Sequence, residues 1–430
     1  MTRGATMTWF WQAWLAAIVF VFPIPHTIAL RNLLLLVGVV VLLATLRRAP
    51  RAPQPPLPPA LKPAAWALLA TTAWLVLQSI TVAPAPTVAL DNLRGDWIVP
   101  LLTAVLAAYA ATRLEPRLAI RAVISALLAH MLWMFGWQLW LLATTGAVAD
   151  GSKGIVPFGE RDYHSSLSGL LFAILLAERT ATMWVGASAA LFPGRSGWVA
   201  LAVSLIGDAA LRVRNGTVVN VALLLMATVW MARRQPRFIV LLLVVATLGG
   251  VSLALDSRWG GLKESLAVGW NSPSTYWLTG DQTRRPSTAS GANIEDSAYL
   301  RAAWAHQAVL AIGEQPLGLG FGRDGFGRVV AAKYGVKGMV SSHSGWLDFA
   351  LGAGLPGLAL LLVTAGLAIR GGWRQFRRHD DAAGLMLCFL VGGYLLRCLL
   401  DGHFSGWRLG LFAFICGVLI AAMKRPGRQT

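Results

Sequence analysis

Residues 341–344 read Ser-Ser-His-Ser, and a long apolar run begins at Gly345. A histidine among three serines at such a threshold has two readings. His343 is either a solvated residue at a helix end or a proton acceptor held beside a membrane surface. The positive end of the helix dipole and any nearby guanidinium both disfavour the imidazolium. A neutral imidazole accepts a proton near neutral pH, as a general base must. Ser342 or Ser344 is expected to cap the helix and help fix the ring.

Arginines form the second group with chemical potential. Arg212 and Arg214 fall in "ALRVRNG", Arg161 and His164 in "GERDYHSSLSG", and Arg301 in "EDSAYLRAAWAHQAVLAIGEQP". Arg397, Asp401 and His403 mark a turn near the C-terminus. A lone arginine at a helix end ordinarily snorkels to headgroups, and Arg94, Arg323 and Arg328 are read that way. Several arginines converging on one membrane face suit a phosphate or pyrophosphate, which a guanidinium binds bidentately. No D-x-D pair accompanies them, so arginines rather than a divalent ion would neutralise a bound diphosphate. No metal and no cofactor is expected.

What must position these residues is a bundle of membrane helices. Of 430 residues, 56% are hydrophobic and 13% charged, about half the charge of an ordinary soluble chain. Mean hydropathy is +0.60. Apolar runs recur along nearly the whole length and predict an all-α integral membrane protein with about twelve transmembrane helices. The spans are expected near 8–24, 27–46, 64–83, 97–111, 122–144, 164–177, 197–210, 216–232, 238–255, 346–369, 382–400 and 405–423. The run 181–193 has no place among them. The chain therefore divides into 1–255 with spans one to nine, a loop domain over 256–345, and 346–430 with spans ten to twelve and a tail. The first apolar run lacks a clear cleavage site and reads as a retained helix.

Net charge is +18, and its distribution decides what that means. With twelve spans, one side of the membrane carries both termini and twenty cations against four acids, a net +16. The remaining 17 cations and 15 acids net only +2. This is the positive-inside asymmetry and not a nucleic-acid footprint, so both termini are expected in the cytoplasm and 256–345 outside. Cys388, Cys398 and Cys416 lie in predicted spans and give no disulfide or metal framework. The segment 47–63 is a proline-rich linker.

Within the loop domain, Asp296 or Ser297 is expected to cap a helix that ends near Gly313 and Pro316. Gly320, Gly322 and Gly325 satisfy G-x-G-x-x-G, but no strand precedes them, so a dinucleotide site is rejected. Asn215-Gly216-Thr217 fits a glycosylation sequon at the mouth of a span, where Asn215 reads better as a helix N-cap.

His343-Ser344, nine residues, then Gly354-Leu355-Pro356-Gly357 resembles the histidine motif of the O-antigen ligase family. The motif's place, after a large external loop and before the tenth of twelve spans, is similar too. Arg214 at the seventh-to-eighth span junction and Arg301 on the loop helix match the family's arginines. Arg212 is an alternative to Arg214, and Arg161 a further candidate. "PLGLGFG" (316–322) also resembles the family's loop, and the likeness covers roughly 160–400.

The resemblance implies a GT-C-like glycosyltransferase of the bacterial inner membrane, its active site periplasmic and its termini cytoplasmic. The donor would be a glycan on undecaprenyl pyrophosphate and the acceptor a sugar hydroxyl of lipid A–core, among membrane lipids and without nucleic acid. His343 would be the general base in a metal-independent, inverting reaction. Arg214, Arg301, Arg212 and Arg161 would bind pyrophosphate, with Ser344, Gly354, Gly357, Arg397 and Asp401 in support. An O-antigen polymerase or a protein O-oligosaccharyltransferase would share the donor chemistry. A lipid-linked glycan transporter is the alternative of another class, disfavoured because transport sites place charge near the bilayer midplane.

Overall fold

The computed structural model describes residues 3–424, apart from 49–56, 147–160, 193, 211–212, 237, 241–242, 245–246, 248–260, 272, 290 and 292. Arg161 and Arg214 are described by their backbone alone. In chain order the helices are α1 (Arg3–Val21), α2 (Ile28–Arg48), α3 (Lys62–Thr81), α4 (Pro86–Leu93), α5 (Val99–Thr112), α6 (Pro116–Thr145), α7 (Arg161–Val185), α8 (Ser196–Ala210) and α9 (Arg214–Ala232). There follow α10 (Leu262–Asn271), α11 (Tyr276–Thr279), α12 (Asp296–Glu314), α13 (Gly325–Tyr334), α14 (Gly345–His379), α15 (Ala382–Leu400) and α16 (Gly406–Ala422). The described residues contain no strand, only an isolated bridge between Ser287 and Asn293.

Among the described residues, eight helices are long and apolar enough to cross a membrane, which makes this an all-α membrane protein. Their outward faces carry exposed Leu33, Leu36, Trp66, Leu69, Leu102 and Leu139, an apolar surface that water would not tolerate over such an area. Three shorter apolar helices, Met7–Val21, Ser196–Gly207 and Gly406–Ala422, fall where three further spans are expected. Two thirds of the expected ninth span, 238–255, lies outside the described residues.

The run 181–193 finds its place as a folded-back connection. Helix α7 continues to Val185, well past the expected end at 177. After it, Arg121 Nε donates to the Leu191 carbonyl at 2.8 Å and Arg179 Nη2 to that of Phe192 at 3.1 Å. Arg117 donates to the Ser188 carbonyl, and Glu178 accepts from the Leu191 N–H at 2.7 Å. Side chains thus satisfy backbone groups that neither helix nor water supplies.

Helices α10 to α13 build a second apolar core, with Tyr276, Trp277, Tyr299, Ile312 and Phe326 buried. Ala350 and Leu351 of α14 belong to the same core. The helix of the large loop therefore rests on the first turns of the long helix that follows it.

That long helix is broken. Gly354 has φ 75° and ψ 170°, and Pro356 follows inside the helix. Pro356 has no N–H for the carbonyl of Gly352, four residues back. Gln78 Nε2 donates to that carbonyl instead, at 3.0 Å, and also to Leu317 O at 3.2 Å. Trp74 Nε1 donates to Ala353 O at 2.8 Å. The segment 316–322 lies in the notch, with Leu319 N–H on Leu351 O and Leu355 N–H on Pro316 O, both 2.8 Å. A Cβ on Gly354 would stand 2.5 Å from the Leu317 carbonyl carbon, so both its backbone angle and its neighbour demand glycine.

Candidate functional site

The turn before α14 is built from its own hydroxyls. His343 sits at φ 59°, a left-handed backbone in a residue other than glycine. Its N–H points at Ser341 Oγ, 3.3 Å away. Ser342 N–H donates to Asp348 Oδ1 at 2.8 Å, and Ser344 N–H to Ser342 Oγ at 3.3 Å. Gly345 N–H, the first of α14, donates to Asp401 O at 3.1 Å. Ser344 occupies the N-cap position, but its side chain makes no cap bond. The expected capping by Ser342 or Ser344 is thus replaced: the Asp401 carbonyl takes the first helix N–H, and Asp348 reaches back from inside the helix to hold the turn at Ser342.

The His343 ring stacks on Trp304, centroids 4.9 Å apart and planes 17° from parallel. Trp304 lies three residues after Arg301 on α12, so both residues occupy one helix face. Burial by the surrounding protein is the main cause that lowers the His343 pKa, and Arg301 adds to it. Asp401 and Asp162 pull the other way more weakly. The neutral ring expected from the sequence follows from this environment.

From Arg301 a chain of polar contacts leads through three helices. Arg301 Nη1 donates to Asn215 Oδ1 at 3.0 Å. Asn215 Nδ2 donates to Asp401 Oδ1 at 2.8 Å and to Leu400 O at 3.1 Å. Asp401 Oδ2 pairs with Arg397 Nε at 2.6 Å, and Arg397 Nη1 reaches Ser165 Oγ at 3.1 Å. A guanidinium has five N–H donors, and Asn215 engages one of those on Arg301. No carboxylate forms an ion pair with Arg301 among the described residues.

No family model matches the chain, and no curated protein matches it.

Of the residues singled out by sequence, the structure joins His343, Ser344, Arg301, Arg397 and Asp401 around one turn. Gly354 and Gly357 lie nine residues and more beyond, at the helix break; a Cβ on Gly357 would press on Trp74 Nε1 at 3.0 Å. Arg214 opens α9, but its side chain and that of Arg161, with all of Arg212, lie outside the described residues.

Several expectations are corrected. Asn215 is no N-cap: Val213 precedes the helix, and Asn215 uses its amide to join Arg301 to Asp401. Glu295, not Asp296 or Ser297, caps α12, its carboxylate accepting from Ala298 N–H at 2.7 Å. Arg328 does not snorkel; it donates to the Leu319 and Gly320 carbonyls at 3.0 and 2.8 Å and braces the glycine loop. His164 is buried beside His130, ring centroids 6.3 Å apart. His403 is buried, its Nε2 3.0 Å from Ser166 Oγ, and burial with Arg408 and Arg397 holds its pKa well below the usual value.

Trp304, Asn215 and Asp348 carry much of this geometry and were not among the candidates. Trp304 reads as an ordinary helix aromatic. Its spacing of three from Arg301 is the one signal that sets the two on a common face.

Proposed function

We propose that the chain is a membrane glycosyltransferase of the O-antigen ligase kind, with a GT-C-like bundle of twelve spans in the bacterial inner membrane. It moves a glycan from undecaprenyl pyrophosphate to a sugar hydroxyl of lipid A–core. His343 takes the proton of the acceptor hydroxyl as that oxygen attacks the anomeric carbon. The bond from that carbon to the pyrophosphate oxygen breaks, and its electron pair leaves with undecaprenyl pyrophosphate. Attack from the opposite face inverts the centre. Arg301, aimed by Asn215, stabilises charge developing on the leaving group, where a preorganised donor contributes most. Arg214 takes the same role from the start of α9, with Arg212 and Arg161 as further contributors.

The observation that carries this reading is the His343 ring stacked on Trp304, one helix turn from Arg301, whose charge acts on the ring. A ring kept neutral by burial and a guanidinium beside it suit a proton acceptor next to a departing anion. The histidine motif adds support, because its glycines coincide with the helix break behind the same turn.

Reconstitution with purified lipid-linked glycan and lipid A–core tests the proposal. Native protein should form the ligated product, and His343→Ala should lose ~10²–10⁴-fold in turnover. A native protein inactive with this pair of substrates ends the reading. Product chains that grow only on a second lipid-linked glycan would instead identify a polymerase.

A further inference from the structure

Three helices end together, far from the His343 turn. Helix α14 starts at that turn and runs 35 residues, roughly 50 Å at 1.5 Å per residue. Near its far end, Trp373 and Phe376 meet Trp230 from the last turn of α9, with centroids 4.8 and 5.8 Å from that ring. Trp230 in turn stacks on Trp184 from the last turn of α7, centroids 4.5 Å apart and planes 21° from parallel. Tryptophans gather in this way where helices leave the hydrocarbon for the headgroups.

Two arginines join the cluster. The Arg234 guanidinium carbon lies 3.6 Å from the centre of the Trp184 ring, at stacking distance. Arg377 comes to the same ring from α14 at 5.4 Å and lies 5.9 Å from Trp373. Both side chains are exposed, and no carboxylate forms an ion pair with either among the described residues. Arg233 at the C-cap of α9, and Arg374 and Arg378 on α14, are exposed beside them.

An arginine in a last helical turn complements the helix dipole. That accounts for each cation singly, but not for two guanidiniums from different helices on one ring, where like charges repel. A cation–π contact holds a guanidinium by its face and leaves its N–H edge open. Such an edge takes two phosphate oxygens at once. Two edges beside one ring, with no protein counter-ion, suit an anion with two phosphates. Met226 is exposed four residues before Trp230, on the same face of α9. A soluble anion gains nothing from that apolar surface, whereas an acyl chain covers it.

We propose that the ends of α7, α9 and α14 form a site for an anionic phospholipid with two phosphates, of the cardiolipin class. Arg234 and Arg377 take the phosphates, and the tryptophans lie level with the headgroup. Basic pockets between helix ends on the positively charged side are where such headgroups bind. The lipid clamps one end of two helices whose opposite ends carry Asn215 and the His343 turn. The site stands independently of the glycosyltransferase reading.

The test strips the full-length protein of lipid in detergent and adds cardiolipin, phosphatidylglycerol or phosphatidylethanolamine, with bound lipid counted by native mass spectrometry. Native protein should hold one cardiolipin ~10-fold or more tightly than either other lipid. Arg234→Gln and Arg377→Gln should each bind it ~10-fold or more weakly, the loss expected for a charge-assisted hydrogen bond. Both positions are exposed, so the lipid-free melting temperature should stay native and show that the variants are folded. Arg113→Gln is the control: it removes an exposed arginine that lies over Tyr109, outside the cluster, and should bind as the native protein does. Equal binding by native protein and both cluster variants overturns the site. An equal loss in Arg113→Gln also overturns it, in favour of diffuse attraction to charge. Phosphatidylglycerol held as tightly as cardiolipin overturns the two-phosphate headgroup. Displacement of cardiolipin by inorganic pyrophosphate overturns the lipid in favour of a soluble anion.

Discussion

At the scale of single residues, His343 satisfies two demands at once. Its backbone at φ 59° belongs to a region where histidine, asparagine and aspartate are the tolerated side chains. His343→Asn should therefore keep the native melting temperature while transfer collapses. His343→Val should lose transfer and also ~1–2 kcal/mol of stability, the cost of a left-handed backbone in a residue with a bulky Cβ. Thermal unfolding measured beside turnover separates the two, and full activity in the asparagine variant would make His343 architectural. The ring makes a second prediction. Burial and then Arg301 lower its pKa, so NMR titration should find it below ~6.5. Arg301→Gln and Trp304→Ala should each raise it, the first by removing charge and the second by admitting water. The acid limb of the rate profile should move to higher pH with it. The sign for stability follows: because the folded pKa is the lower one, the unfolded chain binds the proton first. Stability from this group is complete above the unfolded value near ~6.5 and is lost as pH falls through the window below it. An unchanged His343 pKa in both variants would remove Arg301 and Trp304 from its environment.

Among elements, the broken helix α14 shows what sequence conveys and what it withholds. The spacing from His343 to Gly354 and Gly357 was readable, and Pro356 between the glycines announces a lost hydrogen bond. What replaces that bond was not readable. Gln78 and Trp74 are single residues in an apolar run more than 230 positions away, and nothing in their local pattern points to carbonyls on another helix. The same limit explains the run 181–193: its anchors Arg117 and Arg121 come from α6, and nothing in their local sequence points to carbonyls about 70 positions further on. The three-residue step from Arg301 to Trp304 was local and could have been used. The side chains that satisfy the break are open to test. Trp74→Phe keeps the ring and removes the donor to Ala353, and Gln78→Leu strips the donor from Gly352 and Leu317. Each should cost ~1–3 kcal/mol per carbonyl left unpaired. Because the notch seats 316–322 and carries the turn of His343, transfer should fall more steeply than melting temperature. Native stability in Gln78→Leu would mean that the freed carbonyls find other donors.

For the molecule as a whole, the apolar periodicity was the clearest signal, and the helices follow it closely from Ile28–Thr45 to Ala382–Leu400. Which way the bundle faces is a separate matter, argued only from charge. Helix packing is indifferent to the membrane potential, whereas the +16 against +2 partition of cations and acids responds to it during insertion. Exposed positions on the two expected sides decide it. Lys62 opens α3 at the end of the proline-rich linker, and Lys337 follows α13 in the large loop; both side chains are exposed. Of the native cysteines, Cys388 and Cys398 are buried, so Cys416→Ala gives a quiet background. In that background Lys337→Cys should react with a membrane-impermeant maleimide added to cells with a permeabilised outer membrane. Lys62→Cys should react only after the inner membrane is opened. The opposite pattern would put His343 and Arg301 on the cytoplasmic face. There the reacting hydroxyl of an outward-facing glycolipid would never meet the base, and a ligase acting on lipid A–core would be ruled out whatever the local geometry of the site.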